Sequence, residues 1–270
     1  MPGKLSFLSV RGLMKELEGS SRAYTWIALG GARELVDVLR RELLVNGGNP
    51  GAVRVGGPEG AAVYVHVVAG SEDDEAAFTR AFRARVPIVA VVSRPGSGPV
   101  TLPFVLATDV VRVPPGAGFP VEEIARAIAA RLGEAAAPLA ARLPVLRPAV
   151  TERLIALFSR RNGLVGAAVF VPGADLPILT LNQLRLVLRL AQAHGQEVGR
   201  ERLPELALSV GAGFGFRALA RELLQFVPFA GWAVKAGVAY TGTRALGEAA
   251  TRRFELGLLH APPAKPPVRG

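Results

Sequence analysis

The hydrophobic pattern of the first half of the chain predicts strands that alternate with helices. Four short apolar runs are rich in β-branched residues, as strands buried on both faces of a sheet are. These runs cover 24–30, 61–68, 87–92 and 104–108. Apolar residues recur at helical spacing over 32–44, 71–85 and 121–132. Strands and helices in this order predict a parallel, doubly wound sheet with right-handed crossovers.

The second half of the chain has a pattern typical of helices alone. A Pro-rich stretch from Pro138 to Pro148 separates the two regimes. Beyond it we predict helices over 151–161, 175–195 and 200–226, and another that begins after Pro228. The predicted fold class is therefore α/β plus all-α, a Rossmannoid parallel-sheet domain followed by a helical domain of about four helices.

These shifts in pattern divide the chain into five predicted segments. They are a leader helix at 1–22, an α/β domain at 23–137, a Pro-rich linker at 138–149, a helical domain at 150–258 and a flexible tail at 259–270. Such a division predicts two packed units joined by a short connection.

Composition limits the chemistry that the chain can perform. There is no Cys, which excludes disulfides, thiolate metal sites and cysteine nucleophiles, and the three His residues are far apart. We therefore predict no metal and no cofactor. The 32 Lys and Arg outweigh the 22 Asp and Glu, giving a net charge of +10. No basic run is longer than a pair and aromatics are scarce, which argues against nucleic acid as a partner. We interpret the Arg, Ala and Gly excess as the mark of a GC-rich bacterial genome.

Charged residues interrupt every long apolar segment. Asp175 lies in the first candidate span, Arg217 in the second, and Lys235 and Arg244 in the third. A conventional membrane span tolerates few such charges. We predict a cytoplasmic protein and keep association with the inner face of the membrane as an alternative, because the C-terminal helices are apolar almost all round.

The order of elements in the first half resembles a small GTPase-type domain. In that comparison 63–69 corresponds to the strand after the switch regions, 87–93 to the guanine-reading strand, and Ala107-Thr108 to the last base-contacting loop. A phosphate-binding loop, G-x-x-x-x-G-K-[ST], needs a Lys and a hydroxyl, and the turn Gly30-Gly-Ala-Arg-Glu-Leu35 has neither. Ser93-Arg-Pro-Gly96 replaces the base-reading Asn-Lys-x-Asp. We predict a degenerate, pseudo-GTPase domain that is not an enzyme.

The turn formed by Gly30 and Gly31, followed by Arg33, could hold a phosphate at a helix N-terminus. A nucleotide sensor or enzyme that uses this turn is therefore an alternative function. We favour a simpler interpretation, a tight strand-to-helix turn followed by a solvated Arg33.

Several short motifs follow one another in the second half. They are Val171-Pro-Gly-Ala-Asp175, Asn182-Gln183, His194-Gly-Gln196, Gly211 to Arg217, Ala220-Arg-Glu-Leu223, Pro228-Phe-Ala-Gly-Trp232 and Ala239 to Ala245. Over about 150–258 this pattern resembles a bacterial family catalogued as a domain of unknown function, number six-nine-seven. The resemblance implies a GTPase-associated helical module, membrane-linked in some members, with no reaction and no catalytic residues.

Four polar residues stand in otherwise apolar helices: Asp175, Asn182, Arg217 and Arg244. Buried charges are seldom unpaired, so we predict a structural Asp–Arg network, with a ligand or partner site as the alternative. His194 precedes a helix-ending Gly and is predicted to stabilise a helix C-terminus, while His66 is predicted to lie in the core or at a sheet edge.

Glycines also recur within the predicted C-terminal helices. They predict close helix packing around Gly211, Gly213 and Gly215, and at Gly237, Gly242 and Gly247.

The leading hypothesis from sequence is a non-enzymatic, GTPase-associated protein that binds a protein partner, either a GTPase or a second copy of itself. A peripheral or hairpin-inserted membrane protein at the cytoplasmic face is the first alternative.

Overall fold

The computed structural model describes most of both halves of the chain. The described residues are 12, 25–68, 70, 72–93, 102–168, 176–196 and 232–256. The predicted leader helix (apart from Gly12), the predicted helix over 200–226 and the tail at 259–270 lie outside them.

Five strands form one parallel sheet in the order β2-β1-β3-β4-β5. The strands are β1 (Ile27–Gly31), β2 (Val53–Val55), β3 (Val63–Val68), β4 (Ile88–Val92) and β5 (Val110–Arg112). The α-helices are α1 (Arg33–Leu43), α2 (Glu72–Arg83), α3 (Val121–Leu132), α4 (Ala137–Arg142), α5 (Arg147–Ala168), α6 (Leu176–Ala193) and α7 (Trp232–Glu255). The predicted class, a parallel α/β sheet with further helices, is confirmed.

Two details of the sheet differ from the sequence prediction. The short edge strand β2 was not predicted, since three residues give too little pattern to detect. The strand predicted over 104–108 is wrong: a 3₁₀ turn occupies Ala107–Asp109, and β5 follows it. Phe104 has a φ of 62°, and this left-handed backbone cannot continue an extended strand.

Alternation along the strands gives the sheet two different faces. Val63, Val65 and Val67 belong to the larger hydrophobic cluster, which also contains side chains of α1 and α3. Tyr64 and Val68 point the other way, into a smaller cluster beneath α2. The opposite orientation of successive side chains in a strand therefore places α2 on the far side of the sheet from α1 and α3.

The Pro-rich segment 138–149 is helical and packed. It contains the end of α4, a 3₁₀ turn at Pro144–Leu146 and the start of α5, and Leu139, Leu143 and Leu146 are buried. One hydrophobic cluster extends from Ile27 in β1 to Phe254 in α7. This segment is thus part of the core rather than an extended connection; the domain boundaries drawn from sequence stay a prediction.

Helix α5 packs closely along α7, and glycines make that approach close. A Cβ at Gly166 would lie 2.9 Å from the Lys235 carbonyl oxygen, and one at Gly247 would lie 2.6 Å from Ile155 Cγ1. The predicted close packing is confirmed at Gly247. It is wrong at Gly237 and Gly242, which are exposed and have none of the described residues within 4 Å of an added Cβ. The glycines at 211–215 lie outside the described residues.

Among the described residues, none of the helices combines the length and apolar character that crossing a bilayer requires.

Candidate functional site

The sheet has one topological switch point, between β1 and β3. From β1 the chain crosses to β2 on one side and later to β3 on the other. Doubly wound sheets bind ligands outside the carboxyl ends of their strands at this point. The Gly30-Gly31 turn lies there, directly before α1, so the sequence analysis selected the position that the fold makes a candidate site.

Atoms of β3 occupy the space beside both glycines. Gly31 has a φ of 104°, and a Cβ there would lie 1.9 Å from the Val67 carbonyl oxygen. The next amide, Ala32 N–H, donates to that same carbonyl over 3.2 Å. On the other face of the sheet, a Cβ at Gly30 would lie 1.9 Å from Tyr64 Oη. Both glycines therefore give room to β3, and their presence needs no ligand to account for it.

Arg33 lies in the first turn of α1 with its side chain exposed. It forms no ion pair with a residue that the structure describes. This placement fits the interpretation of Arg33 as a solvated first-turn residue.

Beneath the crevice, three polar side chains form a buried chain of hydrogen bonds. Tyr64 Oη lies 2.9 Å from His66 Nδ1, and His66 Nε2 lies 2.7 Å from Asp74 Oδ1. The other carboxylate oxygen of Asp74 accepts from the Gly70 amide at 2.5 Å. A neutral His66 satisfies both contacts when Nε2–H donates to the carboxylate and Nδ1 accepts from the phenol. The arrangement joins β3 to the first turn of α2.

These three hydrogen-bonded residues are connected in the order of a catalytic nucleophile, base and orienting carboxylate. Their electrostatics differ from those of such a catalytic triad. Tyr64 is 4% exposed and His66 is 3% exposed, so a substrate does not reach them in this conformation. Burial raises the pKa of Tyr64 to about 12, the reverse of what activates a nucleophile. Burial also lowers the pKa of His66, although the Asp74 carboxylate opposes that shift. We assign a structural role to the three residues, whose hydrogen bonds link β3 to α2 within the core.

The prediction that His66 lies in the core or at a sheet edge is confirmed as core. Its partners were missed. Tyr64 and His66 stand two apart in a strand and so share a face, which was an available signal. Asp74 is on a separate element, and its contact with His66 could not be inferred from spacing.

The described residues of the two base-contacting segments of the GTPase comparison, Ser93 and Ala107-Thr108, do not lie at one edge of the sheet. Ser93 follows β4 at the carboxyl edge of the sheet, while Arg94 to Gly96 lie outside the described residues. Ala107 and Thr108 precede β5 and so lie at the opposite edge from Gly31. The proposed correspondence of Ala107-Thr108 with a base-contacting loop is therefore wrong, because in a parallel sheet such loops share the carboxyl edge.

Of the four polar residues predicted in the helical half, the structure describes Asn182 and Arg244, and these two make separate contacts. Asn182 Nδ2 donates to Asn162 Oδ1 at 2.8 Å, and Asn162 Nδ2 donates to Thr243 Oγ1 at 2.8 Å, which links α5, α6 and α7. Arg244 is instead exposed and pairs with Glu248 at 2.9 Å on the surface of α7. Grouping Arg244 with Asn182 is therefore wrong, and Asp175 and Arg217 lie outside the described residues.

A second group of charges was not predicted. Glu134, in the 3₁₀ turn at Gly133–Ala136, pairs with Arg161 of α5 and, at 2.9 Å, with Arg185 of α6. Arg189 Nε lies 3.5 Å from the same carboxylate. The cluster ties the connection after α3 to two helices, an arrangement that stabilises packing.

A cavity of about 830 Å³ opens between the start of α5 and the ends of α6 and α7. Its lining includes Arg147, Thr151, Glu152, His194, Arg244 and Phe254. His194 Nδ1 lies 2.9 Å from the Leu190 carbonyl oxygen and Arg147 Nε donates to the Ala193 carbonyl at 3.3 Å. The prediction that His194 stabilises a helix C-terminus is confirmed. Burial lowers the pKa of His194, which favours the neutral form of the ring.

Within the described part of the chain, His, Asp and Glu side chains form no group that could hold a metal ion. The comparisons with known proteins found no matching family model, no matching curated protein and no matching solved structure. Both family resemblances stay predictions, and the function has to be argued from the geometry.

Proposed function

We propose that this chain is a non-enzymatic protein that binds a protein partner, and that its α/β half is a pseudo-GTPase domain without a nucleotide site. The observation that carries the proposal is the close approach of β3 to the Gly30-Gly31 turn. The Ala32 amide, which a phosphate at this helix N-terminus would use, already donates to the Val67 carbonyl, and the Tyr64 side chain packs beside Gly30. Both contacts belong to the buried core, so opening them is costly.

A partner-binding role is supported by an exposed aromatic pair. The rings of Phe82 and Phe104 stack with centroids 4.4 Å apart and an interplanar angle of 19°. The two residues are 58% and 49% exposed, and Leu106, two residues after Phe104, is 57% exposed. Exposed apolar patches rimmed by polar groups mark interaction surfaces in soluble proteins. The left-handed backbone of Phe104 adds local strain, a feature that concentrates at functional positions.

The proposal predicts that GTP and GDP do not bind. Calorimetric titration of the full chain with each nucleotide and Mg²⁺ should give only the heat of dilution, and phosphate release should match the protein-free rate. Arg33→Ala, which changes an exposed side chain next to the turn, should give the same result. Micromolar affinity that Arg33→Ala weakens tenfold or more would identify the turn as a phosphate site and reject the pseudo-GTPase assignment.

A further inference from the structure

The outer face of α2 carries opposite charges in a symmetric arrangement. Glu75, Thr79 and Arg83 stand at four-residue intervals, so they form one ridge along the helix. Glu75 and Arg83 are exposed, and neither forms an ion pair with a residue in the described ranges. The two charges lie equally far from Thr79, about 6 Å along the helix axis on either side.

This spacing makes the ridge complementary to itself. If two copies of α2 pack antiparallel around a two-fold axis at Thr79, Glu75 of one copy faces Arg83 of the other, and the reverse contact repeats it. An interface on a two-fold axis uses one patch twice, so this pairing satisfies both charges at once. The small side chain of Thr79 at the centre lets the two helices approach.

The surroundings of the ridge suit such a contact. The open surface along it is formed by Glu75, Ala76, Thr79, Arg80 and Arg83, all residues of α2. The inward side of α2 packs on β1, β3 and β4. Phe82 adjoins the ridge and stacks on Phe104, which places the exposed aromatic pair at its margin.

We propose that the chain forms a two-fold dimer through antiparallel pairing of α2, with the Phe82–Phe104 pair at the margin of the interface. This inference rests on the proposed partner-binding function and names a second copy of this chain as a partner. The ridge offers charge pairs at an exposed surface, which contribute little affinity each, so we expect a weak dimer with a dissociation constant of about micromolar order.

Charge reversal tests the pairing by sedimentation velocity on the full chain. The wild type should dimerise over the micromolar range. Glu75→Arg alone places Arg opposite Arg, and Arg83→Glu alone places Glu opposite Glu, so each should weaken dimerisation at least about tenfold. A mixture of the two variants should form a heterodimer, because every contact in it then joins opposite charges. The double variant should dimerise with itself.

Matched controls carry the same charge changes on α1, across the sheet. Glu34→Arg and Arg41→Glu alter exposed residues in the first and last turns of α1 and should leave the dimer unchanged. Circular dichroism checks that each variant is folded, and Thr79→Trp offers a second route, since a large ring at the axis should abolish the dimer without any change of charge.

Three results would overturn the inference. They are a wild type that stays monomeric up to about 200 µM, far above a micromolar dissociation constant, a dimer that neither single reversal weakens, and a mixture of the two variants that stays monomeric. None of these bears on nucleotide binding. A monomeric chain that ignores GTP would leave the proposed function standing with a different partner.

Discussion

At the scale of single residues, His66 shows how a buried polar group couples stability to pH. Tyr64 and Asp74 satisfy both ring nitrogens of a neutral imidazole, and the titratable groups around them are Arg80 and Glu59, which act on Tyr64. Burial keeps the pKa of His66 below its ordinary value of 6.5. The unfolded chain therefore takes up a proton more readily than the folded chain does.

The free energy of unfolding should consequently fall as the pH drops below about 6.5, with the contribution of His66 fully present above that value. His194 has a lowered pKa too and acts in the same direction. Urea unfolding measures this free energy at about pH 7.5 and about pH 5.5. Between these two pH values it should fall less in His66→Gln than in the wild type, even if the variant is already less stable at the higher pH. His194→Gln is the matched variant, and it should remove only the part of the pH-dependent fall in stability that comes from His194. Equal declines in the wild type and His66→Gln would contradict the account.

At the scale of elements, the contact of α5 with α7 separates two kinds of glycine. Gly166 faces the backbone of Lys235, whereas Gly242 faces open space on the outside of α7. The same substitution should then act in opposite directions at the two positions.

Gly166→Ala should destabilise the chain by about 1–3 kcal/mol, because the helices would have to move apart. Gly242→Ala should stabilise it by up to about 1 kcal/mol, since Ala favours a helix interior over Gly. Chemical unfolding of both variants measures the difference. A Gly166→Ala variant as stable as the wild type or more stable would contradict the close packing of the two helices at Gly166, and a destabilised Gly242→Ala would contradict the exposure of Gly242.

The elements that sequence predicts best are those with a long, regular pattern. The β-branched run at 61–68 and the amphipathic segment 121–132 correspond to β3 and α3 almost residue for residue. β2 was missed because its three residues carry too little pattern. At the candidate site, the Gly30-Gly31 turn was found, but its closure by Tyr64 and Val67 was not, because those contacts join residues more than thirty positions apart.

At the scale of the whole molecule, the two predicted domains share one hydrophobic cluster. Side chains of α4 and of the 3₁₀ turn at Pro144–Leu146 join the sheet to the helices without a break in the core. A continuous core favours unfolding in one step.

The two Trp residues allow this to be measured, since Trp26 precedes β1 and Trp232 begins α7. Fluorescence of Trp232→Phe follows the sheet, and fluorescence of Trp26→Phe follows the helices. For each variant, the urea midpoint from fluorescence is compared with the urea midpoint from circular dichroism. If the chain unfolds in one step, the two midpoints should coincide in both variants. Fluorescence midpoints that depart from those of circular dichroism in opposite directions would instead support independent domains divided at the Pro-rich segment.

Both margins of the sheet are closed by very short strands. β2 and β5 have three residues each, and β2 is followed by Gly56, whose positive φ of 147° does not continue the strand. An incoming strand would therefore find only a short row of free amide and carbonyl groups, too few to template fibrillar growth. Although the strands are strongly apolar, the short edge strands disfavour sheet-to-sheet polymerisation. The dimer proposed above would accordingly use a side-chain surface, that of α2, rather than a sheet edge.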